Sequence, residues 1–345
     1  MRTRQAKLVF GVVILVGLVL AGCASDEQKR DDFFQKGQAQ FEKNNYVQAR
    51  LLLKNALKID PQYASAHVLV GKCEMNLENW RRGHAHLKKA IELEPELVEP
   101  RVILANFYHR VQDFEEARAQ AEKILELEPN NVQGRLAMAT IEASEKNFER
   151  ADEILQEVTE NHPEETQAYQ LLSQAAMIQD NPDQAIAHLR QGLEAVPENA
   201  RLRLSLIQIL TNQGRLEEAE NQFQTLLEQQ PDSQSLQLMH VDFLQQTGQP
   251  DKAVEELHGL IESNPDNAAY RLRLVKTLMD RDKPEEAAGV LKKGIEEVED
   301  DVDLRIGLAQ LYLRQGETDK AVSTYTGVLQ ATENKEKLLV ARRAL

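Results

Sequence analysis

The 345-residue chain lacks the residue patterns on which most site chemistry is built. No glycine-rich phosphate loop, nucleophile elbow or HExxH sequence occurs, and its many Glu pairs sit in polar helical patterns rather than apolar surroundings. Eight histidines, His67, His84, His86, His109, His162, His188, His240 and His258, fall mostly one per segment, outside any Cys/His ligand spacing. His84 and His86 stand two apart on a predicted helix and so face different ways. The expectation is a protein with no catalytic residues, no metal and no cofactor. Positive charge is also scarce: 41 Lys and Arg stand against 56 Asp and Glu, a net charge of −15. That field argues against nucleic acid as a partner and disfavours polyanionic polysaccharide, although screening over about 8 Å lets a local basic patch escape it.

Long hydrophobic runs are limited to one. Arg2, Arg4 and Lys7 precede a mostly aliphatic stretch from Leu8 to Leu20, followed by Ala21, Gly22 and Cys23. This is the layout of a secretory signal. At about 1.5 Å per residue the run to Gly22 reaches about 22 Å, short of a hydrocarbon core about 30 Å thick. Leu20-Ala21-Gly22-Cys23 resembles a bacterial lipobox. The resemblance implies a signal peptide over 1–22, a mature chain beginning at an acylated Cys23 and a membrane anchored through that lipid. Ala24 after the cysteine is similar to the outer-membrane sorting signal of diderm lipoproteins, which implies an outer-membrane protein facing the periplasm. Residues 23–29 then read as lipidated cysteine and short tether. Losing Arg2, Arg4 and Lys7 takes the net charge from −15 to −18. Cys73 is left without a partner and reads as a small buried apolar residue.

Pro61, Pro95, Pro129, Pro163, Pro197, Pro231 and Pro265 follow one another at intervals of 34 residues. So do Ala49, Gly83, Ala117, Ala151, Ala185, Ala219, Ala253, Ala287 and Ala321. Such a period is a repeat architecture. Nine units beginning at Arg30 and ending at Lys335 each hold two apolar patterns of helical period, such as "LRLSLIQIL" and "EEAENQFQTLLEQ", broken by a turn. The small residue lets two helices cross closely, while Leu87, Leu155, Leu189, Phe223, Leu257, Leu291 and Tyr325 fill the flanking space. Residues 336–345, with Leu338, Leu339 and Val340, read as the capping helix a solenoid needs.

These features resemble the tetratricopeptide repeat. Gly37, Gly71, Ala105, Ala139, Ser173 and Ala309 match its second small slot, and Tyr46, Trp80, Phe114 and Phe148 match the aromatic that opens its second helix. The implied fold is all-α, an α-solenoid of about nine helix-turn-helix repeats. Departures are Ile207, Val241 and Val275, bulky in the first-helix slot, and Glu299 and Glu333 in place of proline. Arg101, Arg135, Arg203, Arg271 and Arg305 occupy a slot that is usually apolar in the family, which resembles repeats of exopolysaccharide-associated lipoproteins. Their expected behaviour is to lay methylenes on the neighbouring helix and keep the charge in water.

The resemblance further implies that first helices line a groove where peptides or proteins bind. One polar slot along those helices holds Gln38, Lys72, Asn106, Thr140, Gln174, Gln208, Asp242, Lys276 and Gln310, and the next turn holds Asn76, Arg110, Ser144, Asn212, Gln246, Asp280 and Arg314. Amides in a row can bond a peptide backbone without reading its side chains. Lys72, Asn76, Asn106 and Arg110 together form a candidate carboxylate site. "WRRGHAHLKK", residues 80–89, is the one dense basic cluster and is placed on an outward-facing helix. The function expected is a lipid-anchored periplasmic scaffold that binds proteins or peptides in an envelope assembly. The alternatives are a component of exopolysaccharide export or of type IV pilus or secretion assembly, and an adaptor docking peptidoglycan or protein-processing enzymes.

Overall fold

The computed structural model describes residues 25–298, 301–332 and 334–344, all helix and turn with no strand among them. Cys23 and the leader lie outside the described residues. The chain divides into two compact units, one through Ala195 and one from Val196. The first unit holds five hairpins: Asp26–Glu42 with Tyr46–Ile59 (α1, α2), Ala64–Asn76 with Trp80–Leu93 (α3, α4), Glu99–Arg110 with Phe114–Leu127 (α5, α6), Val132–Ser144 with Phe148–Asn161 (α7, α8) and Thr166–Ile178 with Pro182–Ala195 (α9, α10). The second holds four: Ala200–Asn212 with Leu216–Gln229 (α11, α12), Gln234–Gln246 with Pro250–Ser263 (α13, α14), Ala268–Asp280 with Pro284–Glu297 (α15, α16) and Val302–Arg314 with Thr318–Ala331 (α17, α18). A final helix, Lys335–Ala344 (α19), follows. Each unit is a stack of hairpins, an all-α solenoid.

Sequence dictates the hairpin through its crossing point. All eight alanines of the 34-residue series are fully buried. Gly83 shows why nothing larger fits in its hairpin: a Cβ there would stand 2.9 Å from Met75 Cγ and 3.1 Å from the carbonyl oxygen of Gly71. Leu87, Leu155, Leu189, Phe223, Leu257, Leu291 and Tyr325 are buried beside the crossings as their spacing predicts. The bends between hairpins cap the helices that follow. Asn131 Oδ1 accepts from Gly134 N at 2.8 Å, Asn199 Oδ1 from Leu202 N at 2.9 Å and Asp301 Oδ1 from Leu304 N at 2.9 Å.

The turn within each hairpin has one residue at positive φ, again at intervals of 34: Asn44, Glu78, Gln112, Lys146, Asp180, Gly214, Gly248, Asp282 and Gly316. It ends the first helix by turning left-handed, a conformation only glycine adopts freely. Every one of the five such positions in the first unit carries a side chain.

Three expectations are corrected. Helix α1 begins at Asp26 rather than Arg30, because Ser25 and Gln28 form a reciprocal capping box, Ser25 Oγ accepting from Gln28 N at 3.1 Å and Gln28 Oε1 from Ser25 N at 3.0 Å. The tether expected through Lys29 is thus helical from Asp26. Four of the five arginines in the series do not keep their charge in water. Arg101, Arg203 and Arg271 are buried, and the guanidinium turns back to the proline carbonyl six residues earlier. Arg203 donates to Pro197 O at 2.6 Å and to Gln222 Oε1 at 2.6 Å; Arg101 donates to Pro95 O at 2.8 Å and Gln120 Oε1 at 3.1 Å. Arg271 does the same with Pro265 O and Glu297, and half-buried Arg135 with Pro129 O and Glu157. Each is a clasp holding the inter-hairpin bend to a second helix. In α19, finally, Ala341 is buried and Lys337 reaches Asp303 at 2.9 Å, but Leu339 and Val340 face solvent. The last helix therefore covers hairpin nine with its alanine side.

Two predictions follow from this geometry. Lys146→Gly relieves a left-handed side chain and is expected to raise the urea unfolding free energy by about 1 kcal/mol; an unchanged midpoint would show the turn to be unstrained. Arg203→Met keeps the apolar stem but removes two charged hydrogen bonds from a buried bend. Its expected loss is about 1.5–3 kcal/mol in the same measurement.

Candidate functional site

The polar slot of the first helices is exposed or half-buried at all nine of its positions, as a solvent-facing row requires. In the second unit, α11 and α13 enclose a cavity of about 700 Å³. Leu204, Ile207, Phe223 and Phe243 supply its apolar wall, and Gln208, Asn212, Asp242 and Gln246 supply polar groups. Ile207, one of the three bulky departures in the first-helix slot with Val241 and Val275, lines this cavity. Among the smaller grooves of the first unit are one of about 370 Å³ beside Gln38 and Lys72 and one of about 180 Å³ beside Thr140, Ser144 and Gln174. Three of the expected positions, Lys72, Gln174 and Gln208, therefore line grooves. Asn76, Asn106, Arg110, Lys276 and Gln310 are exposed and line none of these three.

The carboxylate site expected of Lys72, Asn76, Asn106 and Arg110 is not assembled for that task. Lys72 Nζ is 2.7 Å from Glu99 Oε1, so its charge is already met, and it stands 5.0 Å from the centre of the Phe41 ring. Asn76 donates to the carbonyl of Lys72 at 2.9 Å, and the Arg110 guanidinium lies 5.3 Å from the centre of Trp80. An incoming carboxylate would have to displace Glu99. Asp242 in the larger cavity is likewise paired, with Arg273 at 2.9 Å. The cavity thus presents amide groups and the cation Arg201 around an apolar wall.

A family model described as tetratricopeptide repeat matches residues 109–175, 176–242, 244–301 and 278–339. The chain belongs to the tetratricopeptide repeat family. Among solved structures it is similar to PilW, described as a widely conserved type IV pilus biogenesis factor, at 20% identity over 61% of this chain and 97% of that one, with a TM-score of 0.52. MamA matches at 20% identity over 48% of this chain and 96% of its own, with a TM-score of 0.42. The human IFIT1 dimer matches at 17% over 90% and 74%, with a TM-score of 0.46. These likenesses are of fold. No curated protein matches the sequence.

Pattern reading missed a set of buried charges that join successive tetratricopeptide hairpins. Glu74 is fully buried between Arg50, at 3.1 Å, and Lys54, at 2.9 Å. Burial alone would raise its pKa, but the two cations outweigh that and hold the carboxyl below its ordinary range. Arg118 Nη1 contacts Glu142 at 2.6 Å, and His84 Nε2 lies 2.7 Å from the Tyr108 hydroxyl. In all three the second helix of one hairpin meets the first helix of the next at the same repeat positions. His86 faces His67 instead, Nδ1 to Nδ1 at 2.9 Å, and burial together with the neighbouring ring pushes its pKa down to about 4. The two nearby histidines of α4 thus serve different partners, as their spacing predicts. Cys73 is buried, and desolvation raises its thiol to about 11, so it is an inert core residue. Among the described residues no three His, Cys, Asp or Glu side chains group to hold a metal.

His240 is the corresponding device in the second unit. Its ring is buried between Glu220, 2.9 Å from Nε2, and Glu256, 2.7 Å from Nδ1, with Phe223 and Phe243 alongside. Burial opposes its charge, but hydrogen bonds and attraction from both carboxylates prevail and raise its pKa above the ordinary value. A raised histidine contributes its full stability below about pH 6.5 and loses it as pH climbs through the folded value. The urea midpoint of the wild type, relative to His240→Gln, is therefore expected to fall between pH 6 and pH 9. Parallel curves for the two proteins would remove His240 from the stability balance.

Proposed function

We propose that this protein is a lipid-anchored periplasmic scaffold whose first helices hold an extended segment of a partner protein within an envelope assembly. The observation that carries the reading is the 700 Å³ cavity between α11 and α13, where amides flank an apolar wall. Gln208, Asn212 and Gln246 offer both donors and acceptors to a main chain, while Leu204 and Phe243 receive an apolar side chain. Such a surface selects for an extended backbone with an apolar anchor, to which Arg201 in the lining adds one positive charge. The lipobox-like sequence at Cys23 supports attachment to a membrane, and a tethered scaffold raises the effective concentration of whatever it holds. Among envelope machines, type IV pilus assembly is one that a protein of this fold, PilW, is described as serving.

Site-specific photo-crosslinking in intact envelopes tests the reading. A crosslinker at Gln208 or Met239 is expected to capture a discrete protein, one at exposed Glu228 is not, and Leu204→Asp is expected to reduce the Gln208 product at least ten-fold. Equal capture at all three positions would place the contact away from the cavity.

A further inference from the structure

The outer surface of the first two hairpins differs in charge from every other second helix. Helix α2 carries Arg50, Lys54 and Lys58 with no acidic residue, and α4 carries Arg81, Arg82, Lys88 and Lys89 against Glu92 alone. The seven second helices that follow are neutral or net acidic, in a chain whose net charge is −15. Part of this charge is structural, since Arg50 and Lys54 turn inward to Glu74. Arg81, Arg82 and Lys88 are exposed and bridge to no carboxylate, while Lys89 has only an exposed pairing with Glu92 at 3.1 Å. The two helices pack on the same first helix, Lys54 of α2 reaching Glu74 and His86 of α4 reaching His67, both of α3, at 2.9 Å.

Within this basic surface stand two large apolar side chains that cover nothing. Val47 and Leu51 are 61% and 55% exposed, and one helical turn apart they share a face of α2. A folded acidic partner would meet the cations but gain little from an isolated aliphatic pair. An anionic bilayer satisfies both, because phosphates draw in Lys and Arg while short aliphatic side chains enter the headgroup boundary. Only Ala24 and Ser25 separate Cys23 from the start of α1, whose 17 residues run about 25 Å to the turn beside Val47, so a lipid at Cys23 and this face would hold the hairpin at its two ends.

We propose that the outer face of α2 and α4, with Val47 and Leu51 on the first helix and Arg81, Arg82 and Lys88 on the second, lies against an anionic lipid surface. The docked face orients the first unit on the membrane, where a lipid at Cys23 alone would leave it free to turn. This rests on the membrane-tethered reading, and the test separates the two.

A reporter is easily placed, because Trp80 is the single tryptophan of the chain. The lipidated full-length protein carrying Leu51→Trp with Trp80→Phe is reconstituted into neutral phosphatidylcholine vesicles, or into vesicles with 30% phosphatidylglycerol. Flotation reads attachment, and quenching by brominated acyl chains reads whether α2 touches lipid. The expected result is flotation on both, with a blue-shifted and quenched tryptophan on the anionic vesicles only. Each basic side chain near such a surface strengthens docking about five-fold. Adding Arg81→Glu, Arg82→Glu and Lys88→Glu is therefore expected to return quenching to the neutral-vesicle level while flotation persists. These positions are exposed, and an unchanged circular dichroism spectrum confirms folding. Flotation without quenching would overturn the docked face and leave the tether standing. Quenching that ignores lipid charge and the three reversals would overturn the electrostatic account. Failure to float would overturn the tether and the docking together. A crosslink from Arg82 to an acidic envelope protein, with no quenching, would hand the surface to that protein.

Discussion

The close crossing of two helices inside each hairpin is the constraint on which the rest depends. Alanine or glycine at that point lets the backbones approach until a neighbouring carbonyl or side chain blocks any further atom, as at Gly83. Once the crossing is set, the flanking Leu, Phe and Tyr residues are buried, and the apolar sides of the hairpin have no cover except the next hairpin. The periodic surface, with its polar row on first helices, follows from that stacking. In α11 the first-helix slot holds Ile207, which lines a cavity large enough to receive a side chain from elsewhere.

Hairpins of nearly identical shape need something that discriminates between correct and shifted stacking, and the buried charges suit that task. Glu74 under Arg50 and Lys54, Glu142 beside Arg118, and His240 between Glu220 and Glu256 are each satisfied by partners on adjacent hairpin elements. A slipped register would leave a charge buried without its counterion, which costs far more than the intact pair gains. The proline clasps act at a shorter range, fixing the bend between hairpins by tying its carbonyl to the helix behind it. Packing thus supplies the bulk of the stability, and polar groups select the arrangement.

Much of this was legible in residue order. The second helices open at Tyr46, Trp80, Phe114 and Phe148 where the aromatic slot puts them, and the small series falls on the buried crossings. Periodicity reports which face of a helix a residue occupies; it does not report what stands opposite. Arg203 was therefore placed correctly and misread, because its acceptor is a main-chain carbonyl that has no identity in the sequence. Lys72 looked available for a ligand because Glu99, its counterion, sits beyond the whole of α4. The left-handed turns at Glu78, Gln112 and Lys146 are hidden for a related reason: the period marks the position, but the residue types there are not those that favour the conformation.

The most direct test places a leucine at a crossing and, for comparison, on the open side of the same helix. Ala219 is fully buried and Asn221 is exposed, so Ala219→Leu and Asn221→Leu put the same side chain of α12 in opposite environments. In urea unfolding followed by circular dichroism, Ala219→Leu is expected to lose about 1–3 kcal/mol through overpacking and Asn221→Leu to stay within about 0.5 kcal/mol of the wild type. If Ala219→Leu unfolded at the wild-type midpoint, helix crossing would not be the constraint that organises this protein.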